Sequence, residues 1–518
     1  MSSGRASRSS GPFVLDRRGF LRACGAVTTA SLLPLSVTGC GGDATTTPPP
    51  VTNPGDLPVP ELLDGELDGG IRVFRLTLQT GSVEWVPGFP TATYGVNGAF
   101  LGPTLRFRRG ERVRIEVTNS LAETTTLHWH GMQVPARSDG GPYITVAPGE
   151  TWVTEYDVDQ RALTAWYHPH QMHATARHVY MGMAGLIVVE DPAVAFALPS
   201  TYGVDDLPLV IQDRRFAADG THPYSNGATP TMRDHMSGLR GETMLVNGAI
   251  APTGVVPRGL VRLRVLNGSN ARIYNLGFAD DRMFQLIASD GGLLAAPVAT
   301  NRVLLAPGER AELLVDFGSD ATGAAVQLRS YSGEVFSTLY VGVMGANLSD
   351  NLDRTTFDLM TLEVGDPPAT PITAPTAFDP IVRVVETDAT VTRSIAMSMA
   401  MGSWLLNGTR MTEIGNVPPA INFSIPSGQT ELWQVTNTSG MPHPLHLHHR
   451  QFQVLDIAGA PPPPALAGWK DTVLVPPNQQ VRLVVRFEGT ADAQYPYMFH
   501  CHILEHEDMG MMGQFFIV

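Results

Sequence analysis

Short runs rich in β-branched, aliphatic or aromatic residues recur along this chain, among them Val113 to Val117, Val261 to Val265, Leu313 to Phe317 and Val481 to Phe487. Gly, Pro and Asn punctuate the stretches between them, which is how strands and turns alternate in an all-β protein. Leu127-His128-Trp129-His130 and Leu445-His446-Leu447-His448 lie in runs that alternate apolar residues with His, the two-residue period of a strand. Long amphipathic helical patterns are scarce. These elements predict an array of β-sandwich units with sites at their junctions.

The units repeat. Gly110 leads through Val117 to Asn119, Gly428 leads through Val435 to Asn437, and Gly259 leads, one residue sooner, through Val265 to Asn267. His stands nine and eleven residues beyond the first and third Asn, at His128, His130, His446 and His448; the same offsets in the middle unit fall on Leu276 and Phe278. Met181-Gly182-Met183-Ala184-Gly185 mirrors Met509-Gly510-Met511-Met512-Gly513, and upstream of them His168-Pro169-His170 stands where His500-Cys501-His502 stands. Three units are expected, at residues 58–195, 196–365 and 366–518, the middle one keeping the frame without the His. A chain of 518 residues is too long for one core in any case.

Composition narrows the function. With 43% hydrophobic and 16% charged residues, 52 Gly and 41 Pro, the chain is globular and turn-rich. A net charge of −14 argues against nucleic acid or anionic lipid as a partner. Residues 1–40 have the form of an export signal: Asp16-Arg17-Arg18-Gly19-Phe20-Leu21 precedes the apolar stretch from Ala23 to Leu35, as in twin-arginine leaders. Val37-Thr38-Gly39-Cys40 resembles a lipobox, so Cys40 would be acylated and tether the protein to a membrane; simple peptidase cleavage is the alternative. Residues 41–57, rich in Thr, Pro and Gly, read as a flexible linker. Cys24 belongs to the signal and Cys40 to the lipobox, which leaves Cys501 without a disulfide partner in the folded body.

That lone thiol is flanked by two His, with His506 and Met511 just beyond. Thiolate, imidazole and a weak thioether are the donors of a mononuclear electron-transfer copper site. In an extended segment Cys501 faces one way and His500 and His502 the other, so one strand can serve two metal centres. Random placement of 15 His in this length gives about 0.4 His-x-His pairs; the chain has four, at 128/130, 168/170, 446/448 and 500/502.

Four motifs in this order, His-Trp-His-Gly at 128–131, His-Pro-His at 168–170, His-Pro-Leu-His-Leu-His at 443–448 and His-Cys-His-x3-His-x4-Met at 500–511, resemble those of multicopper oxidases, the laccase and bacterial cuprous oxidase family. The resemblance spans roughly residues 58 to 518 and implies three consecutive cupredoxin-like Greek-key β-sandwich domains. It also implies four copper ions. Cys501, His443 and His506 would hold the type 1 copper, with Met511 axial, and His128 and His446 the type 2 copper. One type 3 copper would take His130, His168 and His502, and the other His170, His448 and His500. The cluster would then lie where the first and third domains meet. Asp139, in Ser138-Asp139-Gly140-Gly141-Pro142, and Glu507, beside His506, match acidic positions to which the family assigns proton delivery or tuning of the ligands. His173, His178, His222, His235 and His449 are expected on the surface or behind the ligands.

The implied activity is exported, periplasmic or envelope-bound: one-electron oxidation of phenols, aromatic amines or metal ions, coupled to reduction of O2 to water. A periplasmic cuprous oxidase is the alternative. Met397, Met399 and Met401 alternate as on one strand face, but the chain has no long Met-rich insertion, and Ser439 stands where cuprous oxidases carry an acid just before Met441. Some members of the family have shed their copper and serve as structural cell-division factors; those lose ligands, and here no ligand position is empty. A two-domain nitrite reductase lacks the third repeat.

Overall fold

The strand Arg112–Asn119 buries Val113, Ile115 and Val117 on one face, pairs in parallel with Ile71–Val86 and antiparallel with Thr151–Asp157. The polar residues between them, Arg114 and Glu116, stand on the outer face, as the period-two pattern requires. The computed structural model describes residues 55–194, 196–225, 229–368 and 370–518. The expected export signal, Cys24, Cys40 and most of the linker therefore lie outside the described residues.

The described strands form six sheets that pack in pairs. In the first sandwich, Leu62–Leu63, Thr104–Arg108, Gly185–Glu190, Leu163–His168 and His128–His130 make one sheet in that order, and Glu66–Asp68, Ile71–Val86, Arg112–Asn119 and Thr151–Asp157 the other, with Phe89–Val96 also paired to Ile71–Val86. Phe74, Leu76, Ile115, Val117, Trp129, Tyr167 and Ile187 fill the space between them. The middle sandwich packs a seven-stranded sheet centred on Leu260–Asn267 and Arg310–Asp316 against a five-stranded sheet containing Tyr274–Phe278. The third packs Ser403–Leu406, Val391–Ala400, Thr430–Asn437, Gln480–Arg486 and Phe452–Ile457 against Asn422–Ile425, Met512–Ile517, Tyr497–Cys501, His443–Leu447 and Thr472–Val475. The fold is all-β, three sandwiches in succession, as expected.

The repeated Asn has the same physical task in each sandwich. Asn119 Nδ2 donates to the carbonyls of Glu123 and Val146, both at 2.8 Å, while its Oδ1 accepts from Leu121 N–H. Asn267 bonds Arg272 O, Leu305 O and Ser269 N–H, and Asn437 bonds Met441 O, Val475 O and Ser439 N–H in the same manner. Each Asn is buried and ties the end of one sheet to the entry of the other, so it outlives the loss of ligands. At the vacated offsets Leu276 and Phe278 are fully buried in the middle core.

The described helices are short, the longest of them Ser332–Leu339, and none is long and apolar enough to cross a membrane. Gly55 and Leu57, at the end of the expected linker, hydrogen-bond with Thr253 of the middle sandwich. The alternating Met run is broken: Met397 and Met399 lie on Val391–Ala400, whereas Met401 sits past its end in a left-handed turn at φ 50°, fully exposed.

Candidate metal centre

Strand register decides which side chains meet. In the pairing of His443–Leu447 with Tyr497–Cys501, Leu445 stands opposite Cys501 and His446 opposite His500. Alternation then sends His443 and Cys501 to one face and His446 and His500 to the other. In the first sandwich, His128 stands opposite His168.

On the first face, Cys501 Sγ lies 3.5 Å from His443 Nδ1 and 3.7 Å from His506 Nδ1. The opposite nitrogens are occupied: His443 Nε2 meets Ser439 Oγ at 3.0 Å, and His506 Nε2 donates to the Met236 carbonyl at 3.1 Å. Both Nδ1 lone pairs are thereby left for the sulfur side. The Trp404 ring packs 4.6 Å from His443 and 4.7 Å from His506. Met511 is buried, its N–H bonded to His506 O and its carbonyl accepting from Cys501 N–H. Burial pushes the Cys501 thiol well above its usual range, so a cation is needed beside it for the thiolate to form.

On the other face, eight imidazoles converge from the first and third sandwiches in three groups: His128 with His446 and His448; His130 with His168 and His502; His170 with His448 and His500. His130 Nδ1 lies 3.4 Å from His168 Nε2 and 3.3 Å from His502 Nε2; His500 Nε2 lies 3.2 Å from His170 Nε2 and 3.3 Å from His448 Nε2. His128 stacks on His448 at 3.9 Å and His130 on His446 at 3.6 Å between ring centres. Burial, reinforced by the neighbouring imidazoles, holds His130, His168, His170, His446 and His500 far below the usual His range, and takes His448 to about 4 and His502 to about 3. Neutral imidazoles are the form that binds metal.

The outward nitrogens are held by His128 Nδ1 to Asp139 O at 2.8 Å, His446 Nδ1 to Asp471 O at 2.9 Å and His448 Nδ1 to the Asp139 carboxylate at 2.8 Å. His128 Nε2 and His446 Nε2 are buried and have no partner among the described residues. A buried unpaired donor or acceptor costs about 1–3 kcal/mol, and these two point where a metal ion would use them. Soft and borderline donors of this kind fit copper.

The two expected acids flank the cluster, both buried. Burial would raise the Asp139 carboxyl, but the His448 and His128 imidazoles beside it outweigh that and hold it well below the carboxylate range. Glu507 is pushed far up by burial and by the charge of Asp508; it lies 3.3 Å from His170 Nδ1 and 3.2 Å from His500 Nδ1. Among the described residues, none of the five other His joins a donor group. His173 lies against the carbonyls of Asp508 and Thr412, His178 against Thr125 Oγ1, His222 against Ala92 O, and His449 stacks on Tyr497. His235 is half-buried on the helix Met232–Ser237.

Sequence reasoning missed Trp404, Met236, Asp471 and Arg310. The last two form a buried bidentate ion pair against the cluster. The only trace of it in the sequence is the charged pair Lys470-Asp471 set directly before the apolar strand Thr472–Val475.

Comparison with known proteins agrees with this geometry. Multicopper oxidase family profiles match residues 77–194 and 386–518. The chain is 34% identical to the multicopper oxidase Mco of Staphylococcus aureus, over 89% of this chain and 92% of that protein. It is also 33% identical to the cell division protein FtsP of Escherichia coli, over 97% and 99%. The laccase-like multicopper oxidase CueO from Ochrobactrum superposes with a TM-score of 0.79 at 36% identity, covering 89% of this chain and all of that one. With these relatives, cupredoxin-like sandwiches and a donor set suited to copper, the chain belongs to the multicopper oxidase family.

Proposed function

We propose that this protein is an exported oxidase with four copper ions, which takes electrons singly from a reducing substrate and delivers them to O2, releasing water. The observation that carries the reading is the strand register, which turns Cys501 to a mononuclear group and its neighbours His500 and His502 to the eight-imidazole group, one residue away along the backbone. Cys501, His443, His506 and Met511 would hold the type 1 copper; His128 and His446 the type 2; His130, His168 and His502 one type 3 ion, and His170, His448 and His500 the other. Bound there, copper supplies one-electron redox steps and enough stored electrons to reduce O2 fully. The protein keeps the imidazoles neutral and oriented. Glu507 retains a proton at its carboxyl beside His170 and His500, and Asp139 stays charged beside His448, a pair poised to pass and accept protons.

The electron donor is an organic reductant or metal ion rather than nucleic acid. His443 and His506 are buried, with Ser439 and the Met236 carbonyl on their outer edges, so the donor passes its electron through this cover without touching either ring. This favours phenols and aromatic amines. One observation favours cuprous oxidation as a second reading: partly exposed Met399 stands opposite Trp404, which covers both His. Against it, Ser439 has no charge to hold Cu(I). The similarity to FtsP raises a structural role, which the complete donor set argues against. Export by the twin-arginine route, a lipid tether at Cys40 and domain limits at 195/196 and 365/366 belong to the same reading.

Copper-loaded protein should be blue and consume O2 with a phenol, releasing no stoichiometric peroxide, and Cys501→Ser should lose both colour and turnover. Full copper loading without O2 uptake from phenols, aromatic amines, Cu(I), Fe(II) or Mn(II) would sink the proposal. Comparing turnover of Cu(I) and a phenol at fixed free copper separates the two oxidase readings.

A further inference from the structure

The middle sandwich supplies none of the converging imidazoles, yet it reaches the cluster through residues 306–310. Arg310 is fully buried and all five of its guanidinium N–H groups have acceptors. Nε donates to Thr164 O of the first sandwich at 3.0 Å. Nη1 donates to Gly308 O and to Asp471 Oδ1, Nη2 to Asp290 O and to Asp471 Oδ2, the two carboxylate contacts measuring 2.7 and 2.6 Å. Asp290 fixes the other end of the pair: its carboxylate accepts from the backbone N–H of Arg310 at 2.9 Å and of Thr472 at 3.2 Å, and from Lys470 Nζ at 3.0 Å. Asp471 therefore has one available position.

From that position it touches two imidazoles of different sandwiches. Its Oδ1 accepts from His130 Nε2–H at 3.1 Å, and its backbone carbonyl accepts from His446 Nδ1–H at 2.9 Å. Thr472 Oγ1 lies 3.2 Å from the first nitrogen and 3.1 Å from the second, and donates to Asp471 Oδ1. The rings are stacked, 13° from parallel. His130 is the one imidazole of its group that presents Nδ1 inward, where His168 and His502 present Nε2. An independent contact comes from the same turn: at Gly308, with φ +83°, a Cβ would lie 3.0 Å from the His502 ring.

We propose that Asp471, locked by Arg310 of the middle sandwich, is a positioning residue of the oxygen-reducing cluster. It fixes the tautomers of His130 and His446 and so sets the geometry of one type 3 and the type 2 copper together. This rests on the four-copper reading above. It gives the ligand-free sandwich a task at the cluster: its turn is the third wall, and its arginine holds the carboxylate that two ligands share. A lysine at 310 keeps the charge but cannot make the two parallel bonds.

The test compares copper-loaded wild type with Asp471→Asn, Arg310→Lys and Thr472→Val, reading the type 2 EPR signal, the blue thiolate absorption and copper retained during dialysis against graded chelator. Asp471→Asn is expected to bind cluster copper about 10- to 100-fold more weakly, the scale for loss of a group that orients metal ligands. Its type 2 signal should change while the blue absorption stays at wild-type strength. Arg310→Lys and Thr472→Val should change the type 2 signal in the same direction to a lesser extent. A wild-type signal and chelator resistance in Asp471→Asn would overturn the proposal, as would loss of the blue absorption in step with the cluster, which marks a general structural role. If Asp471→Asn does not fold, the two milder variants decide by the same criteria. Wild type that takes up no copper overturns the functional reading instead, so the two failures are distinct.

Discussion

At the scale of single residues, the two acids beside the cluster are set in opposite states by their surroundings. Asp139 faces two imidazoles that favour its charged form, and Glu507 faces burial and the neighbouring Asp508 that favour its neutral form. Asp139→Asn keeps the shape and the contact to His448 but removes the charge; Glu507→Gln keeps the contacts near His170 and His500 but removes the proton. Each is expected to slow reoxidation of the fully reduced enzyme by O2 about 100-fold, the lower end of the range for a lost general acid or base. Reduction of the blue site by the donor should keep its wild-type rate. Stopped-flow traces that show both halves of the reaction slowed together would remove these residues from proton transfer.

At the scale of elements, the three Asn link the sequence repeat to the structure. Asn267 bonds two buried carbonyls and one N–H. Asn267→Ala leaves these groups unpaired in the middle core and should destabilise the protein by on the order of 2 kcal/mol, read as a lower urea midpoint with the blue absorption of the folded protein unchanged. An unchanged midpoint would mean that the frame is not held by this residue. The same repeat explains what could be read from sequence. His128, His130, His446 and His448 were legible because strand alternation and a fixed offset from Asn place them, and His500, Cys501 and His502 because the chain spacing itself is the geometry. Val481 to Phe487 appears as a strand one residue earlier, Gln480–Arg486, and Leu313 to Phe317 as one that starts three residues earlier and ends one earlier, Arg310–Asp316. Arg310 and Asp471, 161 residues apart, follow no period, and neither do Met236 and His506, 270 apart. Their meeting depends on how sandwiches pack against one another, which local patterning does not encode.

At the scale of the whole molecule, a metal-binding interior built from neutral imidazoles makes the stability of the copper-free protein depend on pH. His222, His448 and His449 are held at about 4 and His443 and His502 at about 3, in each case chiefly by burial. The unfolded chain takes up protons on these His near pH 6.5, while the folded protein refuses them until much lower pH. Between those limits the unfolded state binds more protons, so stability falls as pH falls. Glu505 and Asp508, both raised to about 7 by burial, act in the opposite sense: folded, they hold protons that the unfolded chain releases, which adds stability as pH drops from 7 toward their ordinary values. Glu309, Asp471 and Glu507 are raised as well, but His130, His168, His170, His446 and His500 are also held down, so the lowered imidazoles outnumber the raised carboxyls and the His effect dominates; His448 alone contributes on the order of 3 kcal/mol across its interval. Copper-stripped protein is therefore expected to melt at steadily lower temperature from pH 6.5 down to 4, with little change from 7 to 8. The copper-loaded form should melt higher at every pH, because bound ions stabilise only the folded state. A melting temperature for the stripped protein that holds constant or rises between pH 6.5 and 4 would show that these imidazoles are protonated in the fold, and that the interior is not preset for metal.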